Sequence, residues 1–79
     1  MGVTDVLTFL RAQPFVPFRV HMSDGRTFDI RHPDQALVAR TRLVVGVGAG
    51  PMTGVADHLE HLSFIHITGL EEMVPASRD

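Results

Sequence analysis

Apolar and polar residues alternate on both sides of an Asp-Gly pair in the stretch FRVHMSDGRTFDIR. This period of two predicts two half-buried strands joined as a β-hairpin. A two-residue turn is excluded by parity, because it would place apolar and charged residues together on one face. A three-residue loop with Gly25 in the left-handed conformation instead pairs Val20 with Phe28 and sets Arg19 opposite Asp29. The sequence therefore predicts the hairpin together with its register.

The residues before the hairpin follow a helical pattern. Their apolar positions recur at spacings of three and four, which predicts one apolar face on a helix that begins near Thr4 or Asp5. That face consists of Val3, Val6, Leu7 and Leu10. Pro14 ends the helix, because proline cannot continue its hydrogen bonds. We expect the aromatic residues that follow, Phe15 and Phe18, to anchor the helix to the sheet.

Further strands are predicted after the hairpin. A bend or edge position at Pro33 leads into a strand through residues 36–38. The next strand alternates from Leu43 to Val47, and the glycine at Gly46 indicates strong curvature or the close approach of another backbone. The sequence after residue 31 therefore continues the β pattern of the hairpin.

The last third of the chain is less regular. Residues 55–62 suit a capped helical turn or a strand, and we interpret them as a strand. The sequence FIHIT at residues 64–68 predicts another strand, with Ile65 and Ile67 on one face and Gly69 at its end. These patterns together predict a mainly β fold, in which an N-terminal α-helix is followed by a strongly bent antiparallel sheet of about five strands.

Length and composition predict one small domain that spans residues 1–74, followed by a disordered tail at residues 75–79. A chain of 79 residues without cysteine has a small core and no disulfide to stabilise it. We therefore expect association with a second copy to add to its stability. The net charge is −2 and the pI about 6.2, so a strongly basic field is absent. No apolar run is long enough to cross a membrane, and we expect a cytoplasmic protein.

Catalytic motifs are missing from the sequence. Cysteine is absent, and no catalytic motif surrounds Ser23 or Ser63. No pair of carboxylates stands in a sequence context that would shift the pKa of either one. Gly46, Gly48 and Gly50 spell GxGxG, but Pro51 interrupts the segment where a nucleotide-binding helix would begin. The sequence thus predicts a protein that is not an enzyme, has no cofactor, and carries a mobile loop at residues 48–54.

Histidines supply the densest group of potential metal ligands. His58, His61 and His66 lie near Glu60, and imidazole with carboxylate suits zinc or a related divalent metal. The spacing matches no established zinc motif. A helix would let His58 and His61 approach each other, whereas a strand would turn them to opposite faces. These three histidines are weak candidates, and the preferred interpretation has no metal site.

Arginine provides all of the basic residues. Outward-facing residues of the predicted strands and turns would form a local basic patch despite the acidic total, and such a patch would bind the phosphates of RNA. The patch consists of Arg19, His21, Arg31, Arg40 and Arg42. RNA binding is therefore the alternative function.

The helix and the hairpin carry resemblances to two groups of known proteins. The run QPFVPFRVHMSDGRTF at residues 13–28, followed by His32 and Pro33, resembles a group of small uncharacterised bacterial proteins with a PFxPF…DGRxF…HP signature. More distantly, the helix, the alternating hairpin and Leu37 with Val38 look like the first motif of Sm-like RNA-binding proteins. That resemblance implies a small Sm-like or SH3-like barrel of five strands, assembled into rings through exposed edge strands. The usual second-strand glycine is missing, as is the Asn before Leu37 that serves in base recognition.

The preferred hypothesis follows from the small size, the apolar β pattern and the lack of catalytic motifs. It is a non-enzymatic small β-barrel domain that acts through self-association or by binding another protein. Pairing of exposed edge strands is the expected mechanism.

Overall fold

The computed structural model describes residues 1–48 and 55–73. The fold is mainly β with one short N-terminal helix, as predicted. The elements are α1 (Val3–Leu10), β1 (Phe18–Met22), β2 (Thr27–Ile30), β3 (Ala36–Val38), β4 (Arg42–Val47), β5 (His58–Ser63) and β6 (Ile67–Glu72), with short 3₁₀ turns at Pro33–Gln35 and Phe64–His66. The predicted mobile loop and tail fall largely or wholly on residues 49–54 and 74–79, which lie outside the described residues.

The strands form two antiparallel sheets. The first sheet has the order β2-β1-β6, and the second has the order β3-β4-β5. Neither sheet closes into a barrel among the described residues. The sequence predicts a single bent sheet, but the chain forms two. The 3₁₀ turn Pro33–Gln35 separates β2, in the first sheet, from β3, in the second. Proline has no N–H to donate, so a sheet ladder is interrupted where it stands.

The β1–β2 hairpin has the predicted register. Val20 pairs with Phe28, and Arg19 pairs with Asp29. The loop is closed by hydrogen bonds around Met22, and Gly25 adopts a φ of 92°, in the left-handed region. This alternation places Val20 in the core and leaves Arg19 half-buried on the other face. The parity argument therefore identifies both the pairing and the loop.

The core lies between the inner faces of the two sheets and is covered by α1. Its fully or almost fully buried apolar side chains are Val6, Phe18, Val20, Met22, Ile30, Leu43, Val45, Leu62, Phe64 and Ile67. The helix begins at Val3, slightly before the predicted start, and Asp5 accepts a hydrogen bond from the N–H of Gly2. The Phe9 and Phe15 rings both pack edge-on against Phe18, as the predicted aromatic anchor requires.

Gly46 allows a close approach between β4 and its surroundings, as its position in the strand predicts. A Cβ at Gly46 would lie 3.1 Å from the Cβ of Ala56 and 3.5 Å from the carbonyl oxygen of Gln35. The first separation is tighter than an ordinary contact, so a larger residue would push the neighbouring segments apart.

The side chain of Gln35 joins the two sheets where the backbone ladder is interrupted. Its Nε2 donates to the carbonyl oxygens of Asp29 at 2.9 Å and Gly46 at 3.0 Å. Its Oε1 accepts from the N–H of Arg31 at 2.8 Å. The amide thus bonds to backbone groups on both sides of the interruption, with β2 on one side and β4 on the other.

Two predictions for the end of the chain are wrong in part. Residues 64–66 form a 3₁₀ turn rather than a strand, and Ile65 is 83% exposed. The turn directs both Phe64 and Ile67 into the core, a spacing of three that a strand cannot provide. Gly69 pairs with His21 and does not end the strand, because β6 continues to Glu72.

The interpretation of residues 55–62 as a strand is confirmed from His58 onward, where β5 pairs with β4. Residues 55–57 precede the strand. In the described part of the chain, α1 is too short to span a membrane.

Candidate functional site

Three residues of the predicted basic patch lie beside carboxylates on the outer face of the first sheet. Arg19 Nε donates to Asp29 Oδ1 at 2.7 Å, and its Nη2 lies 3.3 Å from Asp29 Oδ2. Arg31 Nη2 lies 3.5 Å from the same carboxylate. His21 Nε2 lies 2.8 Å from Glu71 Oε1. The outer face of this sheet is therefore balanced in charge.

The strand register explains this balance. Asp29 and Glu71 stand opposite Arg19 on the two strands that flank β1. The hydrogen bond from Arg19, with a smaller contribution from the charge of Arg31, holds the pKa of Asp29 below its ordinary value. Asp29 therefore remains ionised at neutral pH and offsets the positive charge beside it.

The other two residues of the patch are Arg40, in the turn between β3 and β4, and Arg42, the first residue of β4. Arg40 and Arg42 are exposed, and neither forms an ion pair within residues 1–48 and 55–73. Arg42 pairs in register with Ser63 of β5. Of the five residues of the predicted patch, three lie beside carboxylates. Arg40 and Arg42 have no carboxylate partner in the described part of the chain.

The three candidate metal-binding histidines are not brought together. His58 Nε2 lies 3.1 Å from Glu60 Oε2, and His61 lies on the opposite face of β5 because strand side chains alternate. His66 follows β5, in the 3₁₀ turn. No group of three or more His, Asp or Glu side chains in the described residues has an arrangement suited to a metal ion.

Instead, His61 and His66 line a polar groove that sequence reasoning did not anticipate. Two cavities of about 290 Å³ and 260 Å³ share His61 and Ser63 in their linings. We call these adjoining cavities the polar groove. The first is lined by Met22, Ser23, Asp24, Arg26, His61, Ser63 and His66, and the second by Thr41, Arg42, His61 and Ser63.

Backbone hydrogen bonds hold the segments around the polar groove together. The N–H of Ser23, in the hairpin loop, donates to the carbonyl oxygen of His66 at 2.8 Å. The N–H of Phe64 donates to the carbonyl oxygen of Thr41 at 3.2 Å. The 3₁₀ turn between β5 and β6 is thus bonded to both of the other turns, so the backbone segments around the polar groove are held in place.

One end of the polar groove contains an internal ion pair. Arg26 Nε donates to Asp24 Oδ2 at 2.8 Å, and Arg26 also lies 4.0 Å from Glu60 and over the ring of Phe28. The N–H of Arg26 bonds to the Asp24 carboxylate and, with smaller contributions from the guanidinium, holds the pKa of Asp24 below its ordinary value. Since Asp24 and Arg26 offset each other, Arg42 supplies the excess positive charge of the polar groove.

Ser23 and His66 are also close enough to be considered as a nucleophile and its base. Ser23 Oγ lies 3.4 Å from His66 Nδ1, and both side chains are exposed. Within the described residues, no carboxylate orients the other nitrogen of His66. The pair therefore lacks the third group that a catalytic triad uses to position its histidine.

The second sheet has an exposed leucine on each of its two edge strands. Leu37 is 69% exposed and pairs with Val44, and Leu59 is 60% exposed on the edge strand β5. Alternation along the strands places these side chains on the outer face, opposite the core residues Leu43 and Val45. In the described part of the chain, β3 and β5 each have β4 as their one sheet neighbour, and β2 and β6 each have β1.

The sequence alone indicated some residues of the polar groove but not that they lie together. Arg42 and His61 were recognised as candidates, but for two separate functions. Their meeting depends on the pairing of β4 with β5, in which Val44 faces His61 and Arg42 faces Ser63. No protein-family model, curated protein or solved structure matches the chain significantly.

Proposed function

We propose that this protein is a non-enzymatic small β domain that acts through self-association, in which β5 of one copy pairs with β6 of the next. The observation that supports the proposal most directly is the open edge of β5 with the exposed Leu59 beside it. An unpaired edge strand presents backbone N–H and C=O groups that can continue a sheet with another chain.

The edge of β5 lacks several of the devices that commonly prevent such pairing, although Glu60 places one charge on its inner face. Its sequence, HLEHLS, has neither proline nor lysine, and the pairing of β5 with β4 has no interruption in register. Leu59 is exposed within this strand, and Ile65 is exposed in the 3₁₀ turn that follows it. A second copy that covered this region would remove apolar surface from water, at about 25 cal/mol per Å² of apolar area.

The second copy is a suitable partner because the same chain also has an open edge at β6. β5 begins with His58, whereas β6 ends in the exposed carboxylate of Glu72. Histidine and carboxylate groups are complementary in hydrogen bonding, and in charge when the histidine is protonated. Pairing two different edges is a head-to-tail contact, which produces a closed ring or a filament.

The resemblance to Sm-like proteins is consistent with this mode of assembly. If β2 and β3 are counted as the two halves of one strand, interrupted at Pro33–Gln35, the chain has five strands after an N-terminal helix. Five strands and association through edges are what that resemblance implies. The Sm-like or SH3-like barrel remains part of the proposal.

Size-exclusion chromatography with light scattering on untagged protein tests the proposal. We expect a discrete particle whose mass is a multiple of 8.7 kDa. Leu59→Lys should lower the mass, because it places a charge on the edge strand. Leu37→Lys is the matched control, since Leu37 is equally apolar and exposed but lies on β3, the other edge strand of the same sheet. A wild-type monomer at every concentration, or an equal loss of mass in both variants, would overturn pairing through β5.

RNA binding is the second candidate function, supported by the two arginines of the predicted patch that lack carboxylate partners in the described residues, Arg40 and Arg42. The chain has no Trp and no Tyr, so strong ultraviolet absorbance in the same chromatographic peak reports bound nucleic acid. Phosphate contacts weaken as salt rises. Retention of RNA that is unaffected by salt, or by the double substitution of Arg40 and Arg42 with Gln, would refute this candidate.

A further inference from the structure

We propose that the polar groove is a binding site for a phosphate group, with Arg42 and His61 as its principal contacts. The inference goes beyond self-association, because it assigns a ligand to a site inside a single chain. The charge and donors of the groove residues support this proposal, and so do the backbone hydrogen bonds that hold the walls of the polar groove in place.

Arg42 differs from the other arginines of the site region in the availability of its guanidinium. Arg19 and Arg31 contact Asp29, and Arg26 contacts Asp24. Arg42 has no such partner within residues 1–48 and 55–73, and its side chain lines the polar groove. The planar guanidinium donates two parallel hydrogen bonds to phosphate oxygens, which makes it a strong and specific phosphate ligand.

The groups around Arg42 are also suited to an anion with several acceptor oxygens. Thr41 and Ser63 line the same cavity and provide hydroxyl donors, and His61 provides an imidazole that can donate through a ring N–H. No carboxylate lines this second cavity. A phosphate oxygen that does not contact Arg42 would therefore have neutral or cationic donors within the same cavity.

The first cavity extends the site in a direction that favours a phosphate bearing a further group. His66 and Ser23 provide polar contacts there, and the carboxylate of Asp24 is already bonded by Arg26. Glu60 lies near Arg26 as well, at 4.0 Å, so this end has no excess positive charge. The phosphate is therefore assigned to the Arg42 end, and the organic part of a ligand to the Asp24 end.

The walls require little rearrangement when a ligand binds. Ser23 is bonded to His66, and Phe64 is bonded to Thr41, through backbone groups. Because these backbone segments are already held in place, binding requires ordering of side chains such as Arg42 but not of the segments that carry them. The polar groove therefore combines donors suited to phosphate with a backbone framework held by hydrogen bonds.

Nuclear magnetic resonance titration of isotope-labelled protein with inorganic phosphate, at constant ionic strength set by sodium chloride, tests the proposal. We expect saturable shifts at the amides of Thr41, His61 and Ser63. Arg42→Gln should weaken binding about tenfold, since a hydrogen bond to a charged group is lost. Arg40→Gln removes the same charge from the same turn and should leave the affinity within about twofold, because Arg40 is not part of the lining.

A parallel titration with a short single-stranded RNA distinguishes the source of the phosphate. Tighter binding of the RNA that is lost in Arg42→Gln assigns the site to a nucleic-acid backbone, whereas binding of phosphate alone assigns it to a small phosphorylated ligand. Shifts that sodium chloride reproduces, or equal effects of the Arg40 and Arg42 substitutions, would overturn the site. Light scattering on Arg42→Gln should show the wild-type mass, which separates failure of the site from failure of self-association.

Discussion

Gln35 Nε2 lies 3.0 Å from the carbonyl oxygen of Gly46, and this side-chain hydrogen bond connects the 3₁₀ turn before β3 with the strand β4. The same amide is bonded to backbone groups of Asp29 and Arg31. Three backbone groups near the interruption between β2 and β3 are therefore satisfied by one side chain. Since backbone groups that are shielded from water are costly when unpaired, this contact supports the junction of the two sheets.

We expect Gln35→Ala to destabilise the protein by about 2 kcal/mol, because three hydrogen bonds of modest net strength are removed together. Gln35→Glu should be at least as harmful, since a carboxylate oxygen would face the two carbonyls to which Nε2 now donates. Denaturant unfolding followed by circular dichroism measures both effects. Asp34→Ala is the control, because Asp34 is exposed in the same turn. Equal midpoints for Gln35→Ala and Asp34→Ala would contradict this role.

The role of Gln35 illustrates what the sequence could not predict. The hairpin register followed from parity, because alternation is a property of neighbouring residues and a wrong pairing of Val20 would bury a charge. The contact of Gln35 with Gly46 depends on how two strands separated by a turn approach each other, and a polar residue beside Pro33 gives no such indication. The candidate site depended on tertiary structure to a still greater degree, since Arg42 and His61 meet only through the pairing of β4 with β5.

The Arg19–Asp29 pair should contribute a pH-dependent part of the stability. The hydrogen bond from Arg19 lowers the pKa of Asp29 in the folded state relative to the unfolded chain. The pair therefore stabilises the protein above the unfolded pKa of about 4, and this contribution is lost as pH falls through the lower, folded pKa. Its size at neutral pH should be small, because both side chains are partly exposed and solvent screens the pair.

The thermal midpoints of the wild type and Asp29→Asn, compared between pH 7 and pH 3, measure this contribution. We expect the difference between the two proteins to shrink toward acid pH. Asp34→Asn serves as a control for the loss of an exposed carboxylate. A double-mutant cycle with Arg19→Gln should assign most of the effect to the pair. A difference between wild type and Asp29→Asn that is the same at both pH values would show that the pair contributes nothing.

The cost of replacing Gly25 should depend on how readily the new residue adopts a positive φ, and not on the size of its side chain. Its φ of 92° disfavours residues with a side chain, and a Cβ built there meets no atom within 4 Å. We expect Gly25→Val to cost about 2 kcal/mol, because a β-branched residue resists positive φ, whereas Gly25→Asn should cost less. Urea unfolding of the two variants separates the explanations. Equal losses would point to a cause other than backbone conformation.

Phe64 and Ile65 should differ sharply in their contributions to stability, although they are neighbours and both apolar. A strand through FIHIT would bury Ile65 with Ile67, whereas the 3₁₀ turn buries Phe64 and leaves Ile65 83% exposed. We expect Phe64→Ala to cost about 3 kcal/mol or more, because it leaves a cavity in the core. Ile65→Ala should change the free energy of unfolding of the dissociated chain by less than about 0.5 kcal/mol.

The measurement is denaturant unfolding of both variants at concentrations where light scattering shows a single chain. If the protein remains associated at the lowest usable concentration, the two variants should be compared in the Leu59→Lys background, which removes the proposed edge contact. A large loss for Ile65→Ala in the dissociated protein would contradict the 3₁₀ turn and restore the strand. A loss that is seen only in the associated protein would instead place Ile65 in the contact between copies, because the side chain is exposed within one chain.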